Sequence, residues 1–215
     1  MLKELANLLR RAGGPGSLVS HLAVLAAFGV LVPWVKGFEF LDPLILLAYT
    51  AIPILFVAPA STAVFAEPPK GAPAVISKLA AVMLYGWGIG VLVLLCGLAT
   101  VNIADWYGHL VLPSTKFLID ALLLGFCASL FVASLGALLT STLAPNPARN
   151  ILRLAFLLPL LAMATARRFA SAEWQSRIAA GMTTRGLAHF ALLASVNLAA
   201  LDILLLLGLL ARFRR

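Results

Sequence analysis

The chain has 215 residues, of which 62% are hydrophobic and 11% are charged, and its formal net charge is +8. A soluble domain carries about a quarter of charged residues, because polar surface must cover its core. This composition excludes an ordinary soluble domain and indicates a membrane protein. The basic residues lie between and beside long apolar stretches, where they orient spans in a bilayer, so no nucleic-acid partner is expected.

Residues 1–12 have the pattern of an amphipathic helix. Four leucines share one face at helical spacing and three basic residues lie off it: Leu2, Leu5, Leu8 and Leu9 against Lys3, Arg10 and Arg11. "GGPG" at 13–16 ends this helix before the first long apolar stretch. We expect the helix to lie in the membrane interface, with a short solvated helix as the alternative.

The remaining chain consists mainly of long apolar runs. Four runs without charge, each at least 24 residues long, cover 12–35, 43–66, 79–104 and 121–148. About 20 apolar residues suffice for a helix to cross the bilayer. Two further runs are broken only by Arg153 and Asp202. We predict one all-α membrane domain over 1–215, with six spans at about 17–35, 43–66, 79–101, 118–143, 150–166 and 187–211.

Prolines and glycines inside these spans predict local features. Pro53 and Pro59 remove helix hydrogen bonds from the second span, which should be kinked or partly unwound. Gly86 and Gly90 form a GxxxG step in the third span, which permits close packing of another helix.

The distribution of lysine and arginine predicts the orientation. With the N-terminus inside, inner segments hold ten of these residues and outer segments hold six. Because basic residues favour the cytoplasmic side, both termini are expected in the cytoplasm of an inner (plasma) membrane protein. Four of the six outer residues lie within 167–185, and a cytoplasmic position for that segment would change the number of spans.

Asp202 is the carboxylate expected near the middle of a span. Its charge costs about 2.5–3.5 kcal/mol on insertion scales, so it should face the bundle or a wet cavity. Asn197 is a possible polar neighbour, although not on the same helix line. Asp202 is then either a substrate- or proton-responsive group or a structural hydrogen-bonding group. No residues show the spacing of a catalytic or metal site, so we expect no enzyme, metal or cofactor in this chain.

The stretch "FAEPPKGAPAVISK" at 65–78 interrupts two apolar runs. Pro68 and Pro69 stop the preceding span, and Pro73 is tolerated in the first turn of a new short helix. Such a helix could dock a soluble partner. The alternative is a connector whose lysines only set the orientation.

The sequence from this stretch to residue 98 resembles permease subunits of ABC transporters of the second type. In that family a span ends in Phe-Ala-Glu, a charged stretch reaches a Gly, and a Lys opens the next span; the matching residues are Phe65, Ala66, Glu67, Gly71 and Lys78. "LGALLTSTLAPNPARNILRLAFLLPLL" at 135–161 resembles the fourth span, inner turn and fifth span of the family.

The resemblance implies a transport subunit energised by a separate ATPase, which would hold ATP and Mg²⁺. The loop at 65–78 would dock the ATPase, with Glu67, Lys70, Gly71 and Lys78 in the docking site. It also implies a second permease copy or a homologous permease, and the apolar interior favours export of a lipid-like or amphiphilic cargo.

Two other functions are consistent with the sequence. The segment "ARRFASAEWQSRIAAGMTTRG" resembles cytoplasmic helices in the transmembrane coupling subunit of vitamin or metal importers of the energy-coupling-factor type. A membrane scaffold or assembly factor without transport activity is the other. Co-purification of an ATPase would separate the scaffold from the two transport functions.

Overall fold

The structure, a computed structural model, describes residues 1–36, 43–104, 110, 115–155, 158, 171–173 and 184–213. Its helices are α1 (Leu2–Ala12), α2 (Pro15–Val24), a π-helical segment (Leu25–Leu31), α3 (Val32–Lys36), α4 (Pro43–Phe65), α5 (Ala72–Ala104), α6 (Thr115–Thr140) and α7 (Thr184–Arg212). Residues 145–155 are also helical. The predicted all-α class is confirmed.

Within the described residues, four helical stretches are long and apolar enough to cross a membrane: Pro15–Val35, Ala72–Ala104, Leu118–Thr140 and Leu193–Arg212. They coincide with the first, third, fourth and sixth predicted spans. The second predicted span coincides with α4, a helix of 23 residues. Most of the fifth predicted span lies outside the described residues, as does most of 167–185.

The helices form a bundle, and side-chain contacts show which neighbouring helices are parallel and which are antiparallel. α4 and α5 are antiparallel, because Lys78 near the start of α5 reaches Val64 at the end of α4. α4 and α6 are parallel, since the Ser61 hydroxyl donates to the Ala133 carbonyl at 3.0 Å near the C-terminal ends of both helices. α7 is parallel to α6, because Arg212 reaches the Ser141 carbonyl at 2.9 Å.

Small residues allow the helices around α6 to pack closely. A Cβ atom added at Gly86 of α5 would collide with Val57 of α4, and one added at Gly136 of α6 would collide with Ser61. At Gly86 the helix that approaches closely is therefore α4. Gly90, the other half of the step, is half-buried.

The first span contains a π-helical turn that the apolar pattern did not predict. Pro33 is buried and has no N–H, so the Gly29 carbonyl lacks the donor that an α-helix would supply. The Thr100 hydroxyl lies 2.9 Å from this carbonyl and satisfies it from α5. A Cβ at Gly29 would lie 2.9 Å from Cys96 Cβ, so only glycine permits this approach.

Two expectations about local structure need correction. α4 is continuously helical through Pro53 and Pro59, so of the two alternatives for the second span, kinked or partly unwound, the unwound one is wrong. Residues 72–78 do not form a separate short helix, because they are the first two turns of the 33-residue α5. The connection between α4 and α5 is therefore only the six residues 66–71, which we call the α4–α5 loop.

Candidate functional site

The α4–α5 loop reverses the chain within six residues by means of a glycine. Gly71 has φ +86°, in the left-handed region that side chains other than glycine adopt at a cost. Its carbonyl accepts the backbone N–H groups of Ala74 (3.2 Å) and Val75 (3.3 Å), which begins α5. Gly71 therefore fixes the exit of the loop.

Lys78 of α5 holds the beginning of the loop by hydrogen bonds. Its ammonium donates to the carbonyls of Val64 (2.9 Å) and Glu67 (2.7 Å), which the end of α4 leaves without helical donors. It also lies 5.9 Å from the centre of the Phe65 ring. Only 9% of Lys78 is exposed. This predicted docking residue therefore holds the loop in shape and does not present its charge to a partner.

Glu67 and Lys70 are both exposed and present opposite charges on the α4–α5 loop. A pocket of about 340 Å³ lies between this loop and α1; its lining residues are Lys3, Glu4, Asn7, Leu8, Arg11, Ala63, Val64, Glu67 and Lys78. The predicted residues Glu67, Lys70, Gly71 and Lys78 thus do form one local arrangement, two of them as surface charges and two as supports.

α1 lies against the start of α5 and borders the pocket. Leu8 is 4% exposed within the main hydrophobic core, and Leu5 packs against that core, whereas Leu2 and Leu9 are exposed. The amino group of Met1 contacts the Ser77 hydroxyl. The predicted amphipathic helix is present, and its apolar face is divided between the bundle and the exterior.

The α4–α5 loop, α1 and the turn at 141–144 lie at one end of the bundle. Ser61 contacts Ala133, so the end of α4 is level with the end of α6, and Arg212 joins the end of α7 to Ser141. We call this the loop end. It combines short backbone turns with exposed charges of both signs.

A second polar group lies inside the bundle. The His21 Nδ1 is 2.6 Å from the Ser17 carbonyl, which can only accept, so Nδ1 carries the proton. Nε2 lies 2.7 Å from the Tyr85 hydroxyl. The ring also lies 4.4 Å from that of Phe56, between centroids. Tyr85 is 64 positions away in sequence, so local spacing does not indicate this pairing.

Asp202 is 2% exposed, as predicted for a carboxylate that faces the bundle. Neither of its oxygens has a hydrogen-bond partner. Asn197, the possible polar neighbour, is exposed and lies on a different face of α7 from Asp202. Among the described residues, no group of three or more His, Cys, Asp or Glu could hold a metal ion.

Comparison with protein-family models, with curated proteins and with solved structures finds no match for this chain.

Proposed function

We propose that the chain is the transmembrane permease subunit of an ATP-driven transporter of the second ABC type, with six spans and an interfacial N-terminal helix. A separate ATPase subunit would dock at the loop end and supply the energy of ATP hydrolysis. The observation that carries the proposal is the α4–α5 loop, whose backbone is fixed by Gly71 and Lys78 while Glu67 and Lys70 remain exposed.

A loop of this kind suits transmission of force. It joins α4 to α5 in six residues, and α4 packs closely against α5 at Gly86 and against α6 at Gly136. Movement of a docked ATPase would therefore displace α4 and α5 together. The apolar interior favours a lipid-like or amphiphilic cargo, and a path for it would lie between this subunit and a second permease copy.

Affinity purification of the full chain from its native membrane tests the proposal. We expect an ATP-hydrolysing chain to co-purify and to be lost when the two exposed loop charges are exchanged by Glu67→Lys and Lys70→Glu. The matched control is Lys36→Glu, at the last residue of α3 near the opposite end of the bundle. Absence of an ATPase from the wild-type assembly would contradict the proposal, as would its full retention by the loop variant.

A further inference from the structure

The first span and α5 run side by side in the same direction. His21 lies against Tyr85. Further along both helices, Gly29 lies against Cys96. Six residues before this first contact, the first residue of α2 is level with Leu79 of α5. The uncharged run of α5 also begins at Leu79, so the first span and α5 enter the membrane at the same level.

α1 lies across the bundle at this level. At its start, the Met1 amino group contacts the Ser77 hydroxyl of α5, two residues before Leu79. At its end, only residues 13–14 separate it from α2. Its two ends therefore differ in height by on the order of 3 Å, whereas its eleven residues make a helix about 16 Å long. α1 thus lies nearly in the plane at which the two spans enter the membrane.

Two exposed leucines form a stripe on α1. The side that faces the bundle carries Leu5 and Leu8, of which Leu8 is 4% exposed. About a quarter of a turn away, Leu2 and Leu9 are 77% and 55% exposed, and their spacing of seven residues places them on one line. An exposed apolar stripe at this level fits the boundary between lipid headgroups and acyl chains.

The opposite side of α1 borders the pocket at the α4–α5 loop. Asn7 and Arg11 line this pocket and lie about half a turn from the leucine stripe. The loop ends where α5 begins at Ala72, about 10 Å outside the level of Leu79. The pocket side therefore faces away from the bilayer, and the leucine stripe faces the bilayer.

Lys3 and Arg10 form a basic stripe between these two sides. They are seven residues apart, both are exposed, and they lie opposite the side of α1 that packs on the bundle. Neither side chain forms a hydrogen bond or an ion pair with another described residue. Glu4, the one carboxylate of α1, lies on the pocket side. The basic stripe thus extends outward from the bundle, at the level of the headgroups, without a neighbouring anion on the helix face that carries it.

We propose that α1 binds the headgroups of anionic phospholipids in the leaflet at the loop end. Leu2 and Leu9 lie beside the acyl chains, and Lys3 and Arg10 pair with the phosphates of the lipids next to the bundle. An anionic bilayer surface supplies both the charge that the basic stripe requires and an apolar layer for the leucines, whereas an acidic soluble protein supplies only the charge. This inference goes beyond the proposed docking of an ATPase and is tested on the chain alone.

Lipid-specific fluorescence quenching of the full chain in vesicles tests the site. An NBD fluorophore is attached at Leu9→Cys in a chain whose Cys96 and Cys127 are replaced by alanine. The vesicles contain phosphatidylcholine and a fixed fraction of phosphatidylglycerol, and a quenching doxyl group is placed on the acyl chains of one lipid or, in equal amount, of the other. We expect the doxyl-labelled phosphatidylglycerol to quench more strongly by a factor of about two or more, because cations at the headgroup level enrich anionic lipids. Equal quenching by the two lipids would overturn the proposal.

A fluorophore at Asn7→Cys, on the pocket side, is the control for the orientation of α1. Both doxyl-labelled lipids should quench it less than they quench the fluorophore at Leu9→Cys. Equal quenching at the two positions would overturn the assignment of the leucine stripe to the bilayer.

Two neighbouring arginines provide a matched pair for the basic stripe. Arg10→Gln and Arg11→Gln, each with the fluorophore at Leu9→Cys, remove the same charge from different sides of α1. Arg10→Gln should lower the preference for phosphatidylglycerol, and its combination with Lys3→Gln should abolish it. Arg11→Gln should keep the preference of the parent chain. An equal loss in the two single variants would overturn the role of the basic stripe, since only the net charge of α1 would then matter.

Discussion

Gly86 is the residue at which side-chain size most directly limits the packing of α5 on α4. A Cβ there would collide with Val57, whereas one at Gly88 would meet nothing within 4 Å. We expect Gly86→Ala to lower the free energy of unfolding by about 1–3 kcal/mol, because the two helices must separate. Gly88→Ala should leave it unchanged or raise it. Thermal unfolding in detergent compares the two, and equal stability of the variants would contradict the packing.

Lys78 fixes the α4–α5 loop through two carbonyls, whereas Lys70 of the same loop is exposed. We expect Lys78→Met to destabilise the protein by about 2 kcal/mol, since buried carbonyls lose a charged donor. Lys70→Met should have little effect. Limited proteolysis reports the consequence, with faster cleavage near 66–71 in Lys78→Met alone. Identical cleavage in both variants would show that Lys78 does not hold the loop.

Individual residues were predictable to the extent that their roles depend on local pattern. Gly86 was found because small residues four apart are typical of close helix packing, and Asp202 because a carboxylate stands out in an apolar run. The capping role of Lys78 depends on where α4 ends in space. The pairing of His21 with Tyr85 depends on contacts between distant parts of the chain. Neither role is encoded in local spacing.

Among the elements, α1 is the one whose attachment can be tested separately. Leu8 is 4% exposed against the bundle and Leu9 is 55% exposed. Leu8→Ala should destabilise the protein by about 2 kcal/mol or more and increase protease access to α1, because a buried cavity results. Leu9→Ala should not affect the unfolding temperature in detergent. A larger fall in unfolding temperature for Leu9→Ala than for Leu8→Ala would mean that α1 packs on the bundle through the face that carries Leu9.

The positions of the long helices could be predicted from the uncharged runs of the sequence, because length and hydropathy determine which helices can cross a bilayer. The ends of the helices could not be predicted in this way, since α5 begins at Ala72 and not at 79. The helix begins where the Gly71 carbonyl accepts the backbone N–H groups of Ala74 and Val75. The π-helical turn contains Gly29, whose carbonyl accepts from Thr100, a residue distant in sequence.

At the scale of the whole molecule, the structure groups the α4–α5 loop and the turn at 141–144 at the same end. Single cysteines at Lys70 and Asn146, in a chain with Cys96 and Cys127 replaced by alanine, should react with an impermeant thiol reagent from the same side. A cysteine at Leu110, between α5 and α6, should react from the opposite side. Labelling of Lys70→Cys and Asn146→Cys from different sides would contradict the arrangement of α4, α5 and α6.

The same experiment distinguishes the two transport functions. A cysteine at the exposed Ser171 should be labelled from the side of Leu110 if the chain has six spans. The coupling subunit of the energy-coupling-factor type would place it on the side of Lys70. Cytoplasmic labelling of Lys70→Cys would in addition confirm the orientation predicted from basic residues.

The bond between Thr100 and the Gly29 carbonyl limits how the bundle can change shape. Sliding the first span along α5 by one turn would break the hydrogen bond to the Gly29 carbonyl, which shares the Thr100 hydroxyl with the Cys96 carbonyl at 2.8 Å. The tight contact of Gly29 with Cys96 opposes rotation of the same pair. The first span and α5 should therefore move together as one rigid body. Any rearrangement of the bundle would then change the contacts between the other helices.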